Sequence, residues 1–132
     1  MHKLTGFKIL VVEDDPDLNE IICDFLNSEN AVTTSATNGH NALEILKEQK
    51  VDFILSDIQM PIMDGFEMIT ILLSSGTAQP PILFATGHSK LTEAAAQRIG
   101  ATGLIYKPFS KDALIQTIVK ILKDSGLEKL GA

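Results

Sequence analysis

The chain has 132 residues, enough for one domain, and its hydrophobic fraction of 45% and charged fraction of 21% are typical of a globular protein. A net charge of −6 without a basic stripe argues against nucleic-acid binding. A single cysteine, Cys23, excludes an internal disulfide, and no apolar stretch is long enough for a membrane span or a signal peptide. We therefore expect a cytoplasmic, single-domain protein (residues 1–132) with a core at about 8–124 and a short tail at 125–132.

Short apolar runs alternate with segments of helical spacing along the chain. The apolar runs predict β-strands at residues 8–12, 31–36, 51–56, 82–85 and 103–106. Helices are predicted from Asp15 and Pro16 onward, at 42–49, from Phe66 to near Gly76, at 91–99 and after Ser110. The predicted inner face of the first helix is Leu18, Ile21, Ile22, Phe25 and Leu26, and that of the third is Phe66, Ile69 and Leu73.

Strands that are apolar at successive positions are typical of a parallel sheet covered by helices on both faces. In such open sheets, ligands bind beyond the carboxyl ends of the strands. The chemically active residues that directly follow predicted strands are Glu13–Asp15, Asp57, Thr86 and Lys107. We therefore expect these side chains to lie together on one side of the sheet.

The residue types at these strand ends suit phosphoryl transfer. Clustered carboxylates repel each other, and a hard divalent cation such as Mg²⁺, which prefers oxygen ligands, relieves that repulsion. An Asp carboxylate is a known nucleophile towards phosphorus, and the product of its attack is an aspartyl phosphate. Lys107 could neutralise one phosphoryl oxygen and Thr86 could donate a hydrogen bond to another. Such transfer needs mainly positioning and charge compensation, so this small set is chemically sufficient.

Each of these residues taken alone also has an ordinary structural explanation. Glu13–Asp15 could be acids that favour a helix start, Asp57 a turn residue, Thr86 a strand-end threonine and Lys107 a solvated lysine. The agreement of four strand ends favours the functional interpretation.

Four stretches resemble the signatures of response-regulator receiver domains of two-component signalling, the CheY-like superfamily. They are residues 9–15 (ILVVEDD), 56–65 (SDIQMPIMDG), 84–87 (FATG) and 106–109 (YKPF), and the resemblance extends from about residue 8 to residue 123. It implies the flavodoxin-like (βα)5 fold, an α/β fold in which a five-stranded parallel sheet of order 2-1-3-4-5 carries helices on both faces.

The resemblance also implies a phosphoacceptor and a metal site. Asp57 would accept the phosphoryl group, and the direct ligands of Mg²⁺ (or Mn²⁺) would be Asp14, Asp57 and the backbone carbonyl of Gln59. Glu13 would act through metal-bound water, at a position where the family more often has Asp.

A contact to the phosphoryl group and a conformational switch follow from the same resemblance. Lys107 would contact the phosphoryl group, and the bond before Pro108 is expected to be cis. Thr86 would be the switch hydroxyl, drawn towards the phosphate, and Tyr106 the aromatic side chain that turns inward with it. The response would appear on the face formed by helix 91–99, the strand ending at Tyr106 and the last helix.

These expectations describe a signalling module rather than an enzyme. It would catalyse only its own phosphorylation and slow dephosphorylation, with a histidine kinase or a histidine phosphotransfer protein as donor and an unknown protein downstream. A phosphorylation-dependent dimer is a further option, whereas nucleic acid and membrane are not expected partners of this chain. Two alternatives stay open. One is a degenerate, non-phosphorylated receiver that serves as an interaction module. The other is a haloacid-dehalogenase type phosphohydrolase, which Gln59 disfavours because that class needs an acid there.

Some features stay ambiguous in the sequence. Gln59 and His88 lie two positions after the acceptor and the threonine, where receiver residues influence hydrolysis of the acyl phosphate. Cys23 is expected off the apolar face of its helix, as a partly exposed and unreactive thiol. Met68, Ile71 and Leu72 could widen the buried stripe of their helix or form a partner-binding patch.

Overall fold

A computed structural model describes residues 2–88 and 90–127, in which strands and helices alternate. The strands are β1 (Lys8–Val12), β2 (Val32–Ala36), β3 (Phe53–Asp57), β4 (Ile82–Thr86) and β5 (Gly103–Tyr106). The helices are α1 (Pro16–Asn27), α2 (Gly39–Glu48), α3 (Gly65–Ser74), α4 (Glu93–Ile99) and α5 (Lys111–Asp124). Every predicted element is therefore present. The α2 helix begins at Gly39 rather than at residue 42, because Asn38 caps it by accepting a hydrogen bond from the backbone N–H of Asn41.

The strands of the described chain form one parallel sheet of order β2-β1-β3-β4-β5, which confirms the predicted fold. The register pairs Val12 with Ser56 and Thr86 with Tyr106, so the strands end close to one another. We call the side of the sheet at which the strands end its carboxyl edge. The four residue groups predicted to share a site all lie at this edge.

The sheet is buried on both faces, because alternate strand residues point to opposite helix layers. One layer joins β1, β3 and β4 to α1 and α5, and its buried residues include Ile9, Leu55, Ile22 and Ile118. The other joins the same strands to α2, α3 and α4, through residues that include Leu10, Ile54, Ala42, Met68 and Ala96. This core holds the carboxyl edge in place without a disulfide.

Two predicted helix faces were wrong in part. In α1, Ile21 is 47% exposed, while Cys23 packs against the core, so Cys23 does not lie off the buried face. Leu18 and Phe25 pack against the core as predicted, beside a stripe of Asn19, Ile22, Cys23 and Leu26 that keeps the spacing i, i+3, i+4, i+7. A polar residue within this stripe hid it from a search for apolar residues alone.

The same correction applies to α3, where Leu73 is 46% exposed rather than buried. Met68 and Leu72 are buried with Ile69, whereas Ile71 is exposed. Met68 and Leu72 therefore widen the core, and Ile71 is the member of that group that faces solvent. Since the apolar residues of this helix lie on all of its sides, its periodicity did not identify a single inner face.

The described part of the tail, residues 125–127, follows the end of α5 and lies near the amino ends of the strands. Leu127 packs against the core, and Ser125 and Leu127 line a cleft together with Asp52 and Pro81, which precede β3 and β4. The rest of the predicted tail, residues 128–132, lies outside the described residues. Within residues 2–88 and 90–127, no helix combines the length and apolarity that crossing a bilayer requires.

Gly65 lets the start of α3 approach the end of β3. A Cβ atom at this position would lie 2.7 Å from the backbone oxygen of Asp57 and 2.9 Å from the Phe84 ring. The N–H of Gly65 donates to the Ile58 carbonyl, and Asp64 caps the helix in a capping box with Glu67. The glycine thus permits a contact that fixes the backbone around Asp57.

We expect Gly65→Ala to lower the free energy of unfolding by about 1–3 kcal/mol, because the new methyl group overlaps backbone and ring atoms. Gly87→Ala is the matched control, since a Cβ at Gly87 meets no atom within 4 Å. Chemical denaturation of both variants measures the difference. Equal stability of the two would contradict the close-approach explanation.

Candidate functional site

An acidic cluster of Glu13, Asp14 and Asp57 lies at the carboxyl edge. One carboxylate oxygen from each residue lies within 4.8 Å of the others. The Lys107 ammonium adds to this cluster, with Nζ 2.7 Å from Glu13 Oε1 and 3.3 Å from Asp57 Oδ2. The structure therefore brings together acids and a lysine from the carboxyl ends of three different strands.

Exposure differs strongly among the three acids. Glu13 is 3% exposed, Asp57 has 12% of its side chain exposed, and Asp14 faces solvent. Asp57 is thus close to charged neighbours and still reachable from outside. An open side next to Asp14 and Asp57 is what a metal-dependent reaction with an external donor requires.

The loop after β1 separates the roles of its three consecutive acids. Asp15 is the N-cap of α1, and its carboxylate accepts hydrogen bonds from the backbone N–H groups of Asp17 and Leu18. The N–H of Asp15 in turn donates to Glu13 Oε2 over 3.1 Å. The helix-start explanation therefore holds for Asp15, while Glu13 and Asp14 belong to the acidic cluster.

Asp57 is fixed by its own backbone surroundings. Its Oδ1 atom accepts a hydrogen bond from the Ile58 N–H at 2.8 Å, so its other oxygen faces Lys107. The hydroxyl of the buried Ser56 donates to the Asp57 carbonyl at 2.7 Å. These contacts hold the carboxylate in one direction before any ligand arrives.

The charges of the site shift two pKa values. Burial raises the pKa of the Glu13 carboxyl, and the charge of Asp57 acts in the same direction, while the hydrogen bond from Lys107 opposes both. Burial alone would lower the pKa of the Lys107 ammonium, but the hydrogen bond to Glu13 and the charge of Asp57 outweigh it and raise that pKa. Lys107 is thus held as a cation beside the acidic cluster.

The donor set of the acidic cluster fits a hard divalent cation. All of its side-chain donors are carboxylate oxygens, which Mg²⁺ and Mn²⁺ accept and softer metals prefer less. A cation here would be held by Asp14 and Asp57, with Glu13 behind them. The predicted contribution of the Gln59 backbone carbonyl stays a prediction.

Thr86 and Tyr106 lie opposite each other in the register of β4 and β5. Thr86 is buried, and its hydroxyl oxygen accepts a hydrogen bond from the His88 N–H at 3.0 Å. Tyr106 is 45% exposed, and its hydroxyl donates to the Leu91 carbonyl. In this structure the threonine is therefore bonded to its own loop, and the tyrosine side chain points outward. The Lys107–Pro108 bond is cis, as expected.

Two further contacts bear on the site. The side chains of Gln59 and His88 meet at 2.6 Å across the loops after β3 and β4. Asn19 was missed by the sequence reasoning, although it is buried and its side chain donates to the Glu13 carbonyl. Its place in the i, i+3, i+4, i+7 stripe of α1 was the signal available in the sequence.

The family model described as the response regulator receiver domain matches residues 9–119. The chain belongs to this family. Receiver domains are parts of two-component systems, and phosphorylation and Mg²⁺ are general features of the family. The family is one of signalling modules that work with histidine kinases or phosphotransfer proteins.

Solved structures and curated relatives agree with this assignment. A receiver domain of the Francisella response regulator 1452 is 26% identical, with a TM-score of 0.82 over 91% of this chain and 99% of that one. The chemotaxis response regulator CheY4 of Vibrio cholerae is 29% identical, with a TM-score of 0.80 over 89% of this chain and all of that one (100%). The transcriptional regulatory protein GlrR of Escherichia coli (strain K12) is 34% identical over 89% of this chain, which spans only 26% of GlrR.

We expect Mg²⁺ to stabilise this receiver domain, by about 2.7 kcal/mol when its concentration is 100 times the Kd. Asp14→Ala should remove most of that gain, because a direct carboxylate ligand is lost. Without Mg²⁺, the same variant should be at least as stable as the parent, because one of three repelling charges is gone. Thermal unfolding with and without Mg²⁺ measures both effects.

Asp24→Ala is the control for this experiment, since Asp24 is an exposed acid of α1 away from the cluster. It should keep the full Mg²⁺ effect. A loss of similar size in the Asp24 and Asp14 variants would mean that Mg²⁺ acts by general charge screening instead.

Proposed function

We propose that this chain is the phosphoacceptor of a two-component phosphorelay and that Asp57 takes the phosphoryl group from a phosphohistidine on a partner protein. The observation that carries the proposal is the surrounding of Asp57. Its carboxylate is reachable from solvent, lies 3.3 Å from the Lys107 ammonium and shares a 4.8 Å cluster with two other acids. Residues 1–132 are proposed to form a single receiver domain.

The chemistry is a direct transfer between two proteins. A carboxylate oxygen of Asp57 attacks the phosphorus atom, a P–O bond forms, the P–N bond to the imidazole breaks, and that imidazole leaves. Mg²⁺ bound by Asp14, Asp57 and the Gln59 carbonyl, with Glu13 acting through water, would compensate charge on the phosphoryl oxygens. The positive charge of Lys107 attracts the phosphoryl group as well, since its ammonium already lies 3.3 Å from Asp57 Oδ2.

The response follows from a new hydrogen bond to the phosphoryl group. The Thr86 hydroxyl can donate to a phosphoryl oxygen, and the β4 end would move towards Asp57 as it does so. Space vacated by Thr86 would then be open to the Tyr106 side chain, which is outside in this structure. The face formed by α4, β5 and α5 would change shape and present the new surface to a downstream partner or to a second copy.

The degenerate-receiver alternative has less support from these residues. Such a module has no need to retain an acceptor, two further acids and a lysine in one cluster, and this chain has all four. A phosphohydrolase is also disfavoured, since the position for its general acid holds Gln59, whose amide contacts His88. The donor and the downstream protein are proposed by class only: a histidine kinase or a phosphotransfer protein, and an unidentified partner.

Incubation with acetyl phosphate and Mg²⁺ should place one phosphoryl group on the parent, seen as a shifted band on a phosphate-affinity gel. Asp57→Asn should give no shifted band, because the amide is not a nucleophile, whereas Asp24→Asn should label like the parent. Absence of a shift in the parent would favour the degenerate receiver, and a shift that persists in Asp57→Asn would place the acceptor elsewhere.

Lys107→Ala should weaken the response to phosphorylation more than it weakens Mg²⁺ binding, because the ammonium contacts the phosphoryl group rather than the metal. A hydrogen bond to a charged group contributes about 1.5–3 kcal/mol. Calorimetric titration of Mg²⁺ and the labelled fraction at equilibrium measure the two effects. Equal loss of metal affinity in Lys107→Ala and Asp14→Ala would contradict the assigned roles.

Tyrosine fluorescence can follow the proposed switch, because the sequence has one Tyr and no Trp. Acetyl phosphate with Mg²⁺ should reduce the access of iodide to Tyr106, and Thr86→Val, which keeps the shape and removes the hydroxyl, should abolish that change while labelling continues. An unchanged response in Thr86→Val would remove Thr86 from the switch.

A further inference from the structure

Asn19 is a buried polar residue that bonds to the ends of two strands. It lies in the second turn of α1 and is 6% exposed. Its amide nitrogen donates to the Glu13 carbonyl at 3.0 Å and to the Ala36 carbonyl at 3.2 Å. These carbonyls follow β1 and end β2, respectively, so one side chain of a helix holds two neighbouring positions of the carboxyl edge.

The orientation of this amide is determined by its partners. Both backbone carbonyls can only accept, so the NH₂ group of Asn19 must face them. Its Oδ1 atom then accepts from the Ser35 hydroxyl at 2.8 Å and from the Cys23 thiol at 3.4 Å. With both amide protons and both carbonyl lone pairs in use, Asn19 has no freedom to turn.

The hydrogen bond from Asn19 to the Glu13 carbonyl affects the metal site through the backbone. That carbonyl belongs to the planar peptide unit between Glu13 and Asp14. The orientation of the carbonyl therefore fixes the position of the Asp14 Cα. The Glu13 N–H on the other side donates to Ala36 O at 3.0 Å. Both ends of the Glu13 backbone are therefore fixed to the same place at the end of β2.

Asp14 depends on this support more than its neighbours do. The Glu13 carboxylate is held by Lys107 and by the Asp15 N–H, and the Asp57 carboxylate by the Ile58 N–H. Among the residues that the structure describes, the exposed Asp14 carboxylate has no hydrogen bond of its own. The place from which this carboxylate reaches into the cluster is therefore set by its backbone.

We infer that Asn19 is a positioning residue of the metal site: by holding the Glu13 carbonyl, it directs the Asp14 carboxylate towards the cation. The inference rests on the proposed function. Loss of a group that orients a metal ligand in this indirect way typically lowers metal affinity by about 10–100-fold. A purely structural asparagine would contribute to folding alone.

The test compares Asn19→Leu with Ser35→Ala. Leucine has a similar size and keeps the stripe of α1 filled, but it cannot donate to Glu13 O. Ser35→Ala removes a contact of Oδ1 and leaves both amide donors in place. We expect Asn19→Leu to weaken Mg²⁺ binding to the folded protein about 10-fold in calorimetric titration, and Ser35→Ala to bind Mg²⁺ as the parent does. The free energy of unfolding without Mg²⁺ is measured for all three proteins.

The outcomes separate this inference from the proposed function. If the parent and Asn19→Leu bind Mg²⁺ equally well, while only the unfolding free energy falls, Asn19 is structural and the inference is overturned, but the proposed function stands. If the parent itself binds no Mg²⁺, the proposed function fails first. If Ser35→Ala loses as much Mg²⁺ affinity as Asn19→Leu, the inference about Asn19 is also overturned, because Ser35→Ala keeps both amide donors to the carbonyls.

A measurement on the parent covers the case in which Asn19→Leu does not fold. In nuclear magnetic resonance spectra, the side-chain NH₂ protons of Asn19 should exchange more slowly with water than those of the exposed Asn27, and Mg²⁺ should shift the Asn19 signals and slow their exchange further. Fast exchange, or signals that do not respond to Mg²⁺, would overturn the inference.

Discussion

The mutual repulsion of three carboxylates at one end of a sheet is the constraint on which this protein depends. Glu13, Asp14 and Asp57 would separate in a flexible chain, since each carries a charge of the same sign. They stay within 4.8 Å because each belongs to a backbone that is paired in the sheet or tied to it. Among the described residues, the Lys107 ammonium lies beside Glu13 and Asp57 and offsets part of their charge.

Several contacts of the surrounding chain hold the three carboxylates together against this repulsion. Asp15 caps α1 and so directs the chain away immediately after the two cluster acids, and Gly65 lets α3 begin against the Asp57 carbonyl. Asn19 completes the arrangement from the helix side. These contacts fix the backbone around the acidic cluster, so the geometry of the site is formed before any ligand binds.

Much of this could be predicted because the signals were local. Continuous apolar runs gave the buried strands, and the residues after them gave Glu13, Asp14, Asp57 and Lys107, since parallel strands end on the same side. The strand order itself came from the family resemblance rather than from the runs.

The parts that failed need information from across the fold. Ile21 and Leu73 were placed inside because neighbouring apolar residues differ by only 100° around a helix, and the sheet decides which of them is covered. Cys23 packs against the core, where its thiol contacts Asn19 and Ser35, and neither partner is recorded in the local pattern of α1. The contacts of Asn19 link residues 6 and 17 positions away, a pairing that no local pattern records.

The position of Ser125 and Leu127 beside Asp52 and Pro81 has an architectural consequence. The first strand also starts at that end, where the Lys8 N–H bonds to Asp52. The start of β1 and the described segment after α5 thus both lie at the end of the sheet opposite Asp57. The described segments before β1 and after α5 therefore leave the acidic cluster at the carboxyl edge uncovered.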